Sequence, residues 1–147
     1  FLAHRFNEAP ELVGSEDWHC WIRIAADHEP AVCPGGGALL LDHSSRTISL
    51  DSWQDAEKRF DFLAADLLVD PVAGDYLAPH LDLFRGTQAH YVAAKAARQS
   101  ALRPSLLRFG RAVRHHPGLL FTRGTMHIFR LWLSGLFRTA ESIGDGE

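Results

Sequence analysis

The chain has 147 residues, 46% hydrophobic and 22% charged, a composition that excludes extensive disorder and gives one domain a core needing no metal or disulfide staple. The formal net charge is −3, which excludes a protein that is basic all over and confines any affinity for polyanions to a local patch. No apolar run reaches the ~18 residues of a membrane span; the nearest, Met126 to Phe137, carries Arg130 in its middle.

Along the chain, the first regular pattern is Trp18 to Ala25, where Trp18, Cys20, Ile22 and Ile24 alternate with His19, Trp21 and Arg23. That period of two predicts a strand with one buried face. Cys33-Pro34-Gly35-Gly36-Gly37 breaks the chain, and Ala38 to Asp42 and Thr47 to Leu50 then flank His43-Ser44-Ser45-Arg46 as a predicted hairpin. The N-terminal third is therefore expected to form a small antiparallel sheet of about three strands.

From residue 52 the expectation is helical. Ser52 and Asp55 make a capping-box pattern, and Phe60, Leu63, Ala64, Leu67 and Leu68 follow at amphipathic-helix spacing until Asp70-Pro71. A short helix is predicted from Tyr76 to Phe84, closed by Gly86. Thr87 opens the next, through the Ala-rich stretch Tyr91 to Ala101, with Pro104 forcing a break or restart. A fourth runs from Ser105 to His115, stopped by His116-Pro117-Gly118, and the last begins near Thr125 and frays past Ala140. The expected fold is thus α+β: one domain over 1–147, strand-rich over 1–51, with four to five helices over 52–143.

Charge is sorted along this plan. From Phe1 to Leu83 five Arg/Lys stand against fifteen Asp/Glu, a net of −10; from Phe84 onward ten stand against three, a net of +7, and those three acids fall in the last seven residues. Thirteen of the fifteen basic residues are Arg, whose fork suits carboxylates and phosphates better than the point charge of Lys. On a helical wheel the fourth helix gathers Leu106, Phe109, Ala112 and Val113 on one side and Arg108, Arg111 and Arg114 on the other, with Arg103 joining the cations and Leu107 the exception. The last helix is apolar around most of its circumference apart from the stripe His127, Arg130, Ser134 and Arg138. It is expected to be a core helix or a protein interface, with membrane-surface binding the least favoured; if the stripe is buried, Arg130 must be paired.

Nine histidines invite a metal or acid-base reading. Cys20 and Cys33, with His19, His28 or His43, could supply a tetrahedral zinc set, but no CxxC, HxxxH or HExxH spacing accompanies them, so no metal and no cofactor is expected. Cys33 beside its glycines and a histidine such as His43 could act as a nucleophile and base, and His90, in the first turn of its predicted helix, is the histidine expected to have a lowered pKa if buried; no catalytic group is assigned. His115 and His116 close an Arg-rich helix, where their default role is with the helix dipole.

With two cysteines and no disulfide framework, the expected compartment is the cytoplasm. A chain that starts at Phe1 reads as trimmed or processed, so a removed targeting segment would leave no trace. The function favoured by these residues is a protein-binding or accessory module that uses Arg103, Arg108, Arg111, Arg114, Arg130 and Arg138 with the apolar last helix to hold an acidic protein surface or a second copy of itself. The alternatives are a small His-dependent enzyme or ligand-binding domain, and a nucleic-acid-binding domain using the basic half.

Overall fold

The computed structural model describes residues 4–29, 31 and 51–144, with side chains as far as residue 135. Among these residues all regular structure is helical, which overturns the α+β expectation: α1 (Glu16–Asp27), α2 (Trp53–Val69), α3 (Pro71–Leu77), α4 (Leu81–Arg98), α5 (Leu102–His115) and α6 (Arg123–Gly144), with short 3-10 turns at Pro10–Leu12 before α1, Ala78–His80 between α3 and α4, and Pro117–Phe121 between α5 and α6. The predicted hairpin of Ala38 to Asp42 and Thr47 to Leu50 lies outside the described residues.

The predicted first strand, Trp18 to Ala25, is the middle of α1. An eight-residue window satisfies a period of two and one of 3.6 almost equally: the buried Cys20 and the 60% exposed Trp21 suit either pattern, whereas Trp18 is 50% exposed and His19 is buried, the reverse of the strand expectation. Ser15, His19 and Cys20 form the inward face, at helical rather than alternating spacing. Glu16 and Asp17 occupy the first turn, where negative charge offsets the positive end of the helix dipole.

The chain divides into two compact units, one made of residues 1–51 and 58–80 and the other of 52–57 and 81–147, so α2 gives its first turn to the second unit and the rest to the first. In the first unit Leu12, Leu63 and Leu67 are fully buried, with Ala73 and Leu77 beside them in the core. Polar clamps surround this core. Asp66 accepts from Asn7 at 3.0 Å and pairs with the buried His19 at 2.9 Å, and His4 pairs with Asp27 at 2.9 Å. Arg59, itself buried, is held by Asp51 and donates to the carbonyl of Val13, before α1, at 2.6 Å. Asp70 ends α2 as predicted and then caps α3, accepting from the backbone N–H of Ala73 and Val72 at 2.9 and 3.1 Å with Pro71 in the first helical position. Those N–H groups, with the Arg23 guanidinium as a smaller contribution, hold its pKa below the ordinary carboxylate value against the opposing effect of burial.

In the second unit the capping box at Ser52 forms: Asp55 accepts from the Ser52 hydroxyl and backbone N–H, and Ser52 Oγ accepts from the Asp55 N–H. The separate helix predicted from Tyr76 to Phe84 is not present. Residues 71–77 are α3, and α4 runs unbroken from Leu81 through Gly86 and Thr87. Gly86 is there for packing rather than termination, because a Cβ on it would stand 3.0 Å from the Cβ of His116 and 3.3 Å from the carbonyl oxygen of Ala112. Ala89, Ala93, Ala96 and Ala97 are all buried on the same helix, and such small side chains let neighbouring backbones approach closely.

The turn between α4 and α5 is a Schellman closure. Ala101 N–H bonds the Ala96 carbonyl and Ser100 N–H the Ala97 carbonyl, with Ser100 at φ 58° in the left-handed region. Pro104 restarts the helix as predicted: it lies in the first turn of α5, where its missing N–H would have no partner in any case. The core of this unit is Ala93, Phe109 and Ile128, with Ala94, Val113 and Trp132 packed against it, and a second cluster of Ala89, Ala112 and Leu119.

Candidate functional site

The predicted guanidinium row lies on α5, and the fold treats its members differently. Arg108 is withdrawn from the surface: its Nε and NH2 bond the two carboxylate oxygens of Glu57 at 3.0 and 2.7 Å, and its guanidinium lies 4.8 Å from the ring centre of Trp53. A bidentate carboxylate with an aromatic face is a strong setting for Arg, so Arg108 joins α5 to the first turn of α2 inside the second unit. Arg111 is half exposed, with Glu57 3.9 Å away. Arg103 and Arg114 are exposed, with no ion pair among the described residues.

The apolar side of α5 is rotated relative to its predicted position. Ser105 is fully buried, while Leu106 is 48% exposed. A serine can occupy the centre because its hydroxyl is fully used: it donates to the Ala93 carbonyl at 2.7 Å and accepts from Trp132 Nε1 at 2.8 Å. That pair ties α4, α5 and α6 together and displaces Leu106 toward solvent.

Helix α6 is not enclosed. Thr125 and Ile128 face inward, but Met126 is 67% and Leu133 56% exposed, and Phe129 is at the boundary. Phe109 meets Phe129 and Trp132 with ring centroids 5.6 and 5.4 Å apart. The pairs Ser105 with Trp132 and Phe109 with Phe129 run in opposite chain directions, so α5 and α6 are antiparallel where they meet. Arg130 is exposed, so the condition that a buried Arg130 needs a partner does not arise. Arg138 lies on the backbone of α6 beyond the described side chains.

His90 sits in the middle of α4 rather than in a first turn. Its Nε2 is 3.0 Å from the hydroxyl of Thr125. That hydroxyl gives its proton to the Leu119 carbonyl, so it accepts from the Nε2–H of His90. Burial lowers the His90 pKa. Gly124 is required beside it, since a Cβ there would lie 2.7 Å from His90 Cε1. Thr125 is fully buried, and the arrangement fastens the start of α6 to α4.

Among the remaining candidates, Cys20 is buried and unbridged, with its thiol 3.6 Å from the His4 carbonyl, His19 is held by Asp66, and His28 is exposed with its ring edge-on to His4. Cys33 and His43 lie outside the described residues. No group of three or more His, Cys, Asp or Glu among the described residues is placed to hold a metal ion, and no described helix is long and apolar enough to cross a membrane. His115, at the end of α5, has Asp82 at 3.0 Å, a partner from α4 that the dipole argument did not anticipate. The exposed Leu106, Met126 and Leu133 were also missed as a two-helix feature, because the helical wheel placed Leu106 on the buried side of α5.

No protein-family model matches the chain, and no curated protein or solved structure matches it either.

Proposed function

We propose that this protein is a protein-binding module whose docking face is the open side of α5 and α6 in the second unit. The observation that carries this reading is the exposure of Leu106, Met126 and Leu133 on two helices whose exposed positions also include Arg103, Arg114 and Arg130. Large apolar side chains clustered among cations favour a protein partner over a nucleic acid, whose phosphates would use the arginines and leave the aliphatic strip wet. The enzyme reading gains less support, because His4, His19, His90 and His115 all make structural pairings. The same proposal places the module in the cytoplasm, with the unbridged thiol of Cys20 as its support.

Site-specific photo-crosslinking in cells tests it. A benzophenone side chain introduced at Leu106 or at Leu133 is expected to trap one and the same polypeptide, identified by mass spectrometry, and the Arg103→Glu/Arg130→Glu double variant should abolish both adducts. The same probe at Val69, an exposed position of the first unit, should trap none of it. Equal labelling from Val69, or no adduct from the α5 and α6 positions, overturns the proposal.

A further inference from the structure

The second unit carries ten Arg/Lys against six Asp/Glu, a net of +4, while the first carries five against twelve, a net of −7. Within the second unit the imbalance is concentrated: between Leu83 and Ala140 the sequence has no Asp or Glu at all. The whole of α5 and every described side chain of α6 therefore present only cations, polar groups and apolar groups.

The arrangement of those groups is specific. Going round α5 from its buried centre at Ser105 and Ala112, the side chains pass Phe109, which touches α6, then the exposed Leu106, then Arg103 and Arg114 about 60–80° further on at 100° per residue. Going round α6 from Ile128 and Trp132, they pass Phe129, which touches Phe109 of α5, then Leu133 and Met126, then Arg130 about 40–60° beyond. Both sequences turn outward from the same aromatic contact. The result is a seam with an aromatic floor, aliphatic shoulders and an arginine on each rim.

From this layout we infer that the partner docks as an amphipathic α-helix, its apolar edge in the α5–α6 seam and Asp or Glu on both flanks of that edge. The inference rests on the protein-binding reading and deepens it by naming the partner's chemistry. A helix fits because the seam is bounded by two antiparallel helices, the usual setting of helix-in-groove recognition, in which anchors recur at i, i+3, i+4 and i+7. α5 has 14 residues, about 21 Å at 1.5 Å per residue, so the complementary helix is about four turns long. Acidic flanks are required twice over, since rim arginines on both sides would repel a basic helix and would remain unneutralised against a neutral one.

The probe is a labelled 16-residue helical peptide with Leu at i, i+3, i+4, i+7 and i+11 and Glu at the flanking positions, compared by fluorescence anisotropy with an otherwise identical peptide carrying Lys at the flanks. The full chain should bind the Glu peptide at least tenfold more tightly than the Lys peptide. Arg103→Glu/Arg130→Glu should reverse that preference, and Leu106→Ser should weaken both peptides by at least fivefold. All three positions are on the surface, and circular dichroism checks that each variant is folded. A preference reversed by charge exchange supports the inference even if the absolute affinity is low. Lack of discrimination between the peptides overturns it, as does self-association in light scattering that Leu106→Ser abolishes, because the occupant is then a second copy. Binding to phosphatidylglycerol vesicles that Leu106→Ser abolishes overturns it too. If adducts form at Leu106 and Leu133 but the peptides are not discriminated, the inference fails while the module reading stands. If neither signal appears, both fail.

Discussion

Ser105→Ala is the most discriminating test of how the second unit is held together. The Ser105 side chain is fully buried and makes two hydrogen bonds, one to the Ala93 carbonyl of α4 and one from Trp132 Nε1 of α6. The carbonyl keeps its in-helix partner when the hydroxyl is removed, so that loss is about 1 kcal/mol. The indole N–H is left without an acceptor in a partly buried setting, which adds about 1–2 kcal/mol beyond the lost bond. The expected destabilisation is therefore about 2–3 kcal/mol, a large share of the ~5–15 kcal/mol typical of a folded domain.

Urea denaturation followed by far-ultraviolet circular dichroism reads this directly, with an unchanged m value showing that the effect is on the folded state. Trp132→Phe keeps an aromatic ring against Phe109 but removes the donor. The double variant should then be less destabilised than the two single changes combined, with a coupling of about 1 kcal/mol. A Ser105→Ala effect below about 0.5 kcal/mol, or additive single changes, would refute the three-helix tie.

Ser100→Gly should raise the urea midpoint, by about 0.5–1 kcal/mol of stability, because glycine adopts the left-handed conformation that Ser100 holds at φ 58° without a Cβ penalty; a lowered midpoint contradicts the Schellman assignment. Asp51→Ala should destabilise the first unit by about 3 kcal/mol, since it removes the carboxylate partner of the buried Arg59, and amide exchange of α2 should accelerate accordingly. His90 has a folded-state pKa below its ordinary value, so as pH falls from about 6.5 the unfolded chain takes up a proton before the folded one does. Stability from this group is complete above that pH and is lost as acid moves toward the folded pKa. His90→Gln, which can still donate to Thr125, should remove this part of the acid sensitivity; denaturation curves at pH 7.5 and 5.5 that shift equally in both proteins would disprove it. Gly86→Val should cost at least about 2 kcal/mol, by forcing its branched side chain into His116 and the α5 backbone, whereas a neutral result in thermal denaturation would show that α5 yields.

How much of this was legible depended on whether a signal was local. The cap at Ser52 and the helix end at Asp70-Pro71 were readable because each is made by residues within three positions of one another. The extents of α5 and α6 were readable because Pro104, Pro117 and the surrounding pattern act locally as well. The α1 segment was misread because its pattern alone could not say that the His19 imidazole would be inside and the Trp18 indole outside. That inversion exists only because Asp66, 47 residues away, accepts from His19.

The candidate site divides along the same line. Its charge was fixed by the sequence itself: a long stretch without acids, rich in arginine, gives a basic surface in almost any fold. Which arginines remain available was decided by tertiary contact, because Glu57 and Trp53 come from another helix to occupy Arg108. The exposure of Leu106 was likewise decided only when Trp132 bonded Ser105 and turned α5 about its axis. Periodicity is carried by neighbours along the chain, whereas the choice of which face is dry depends on partners that only folding brings together.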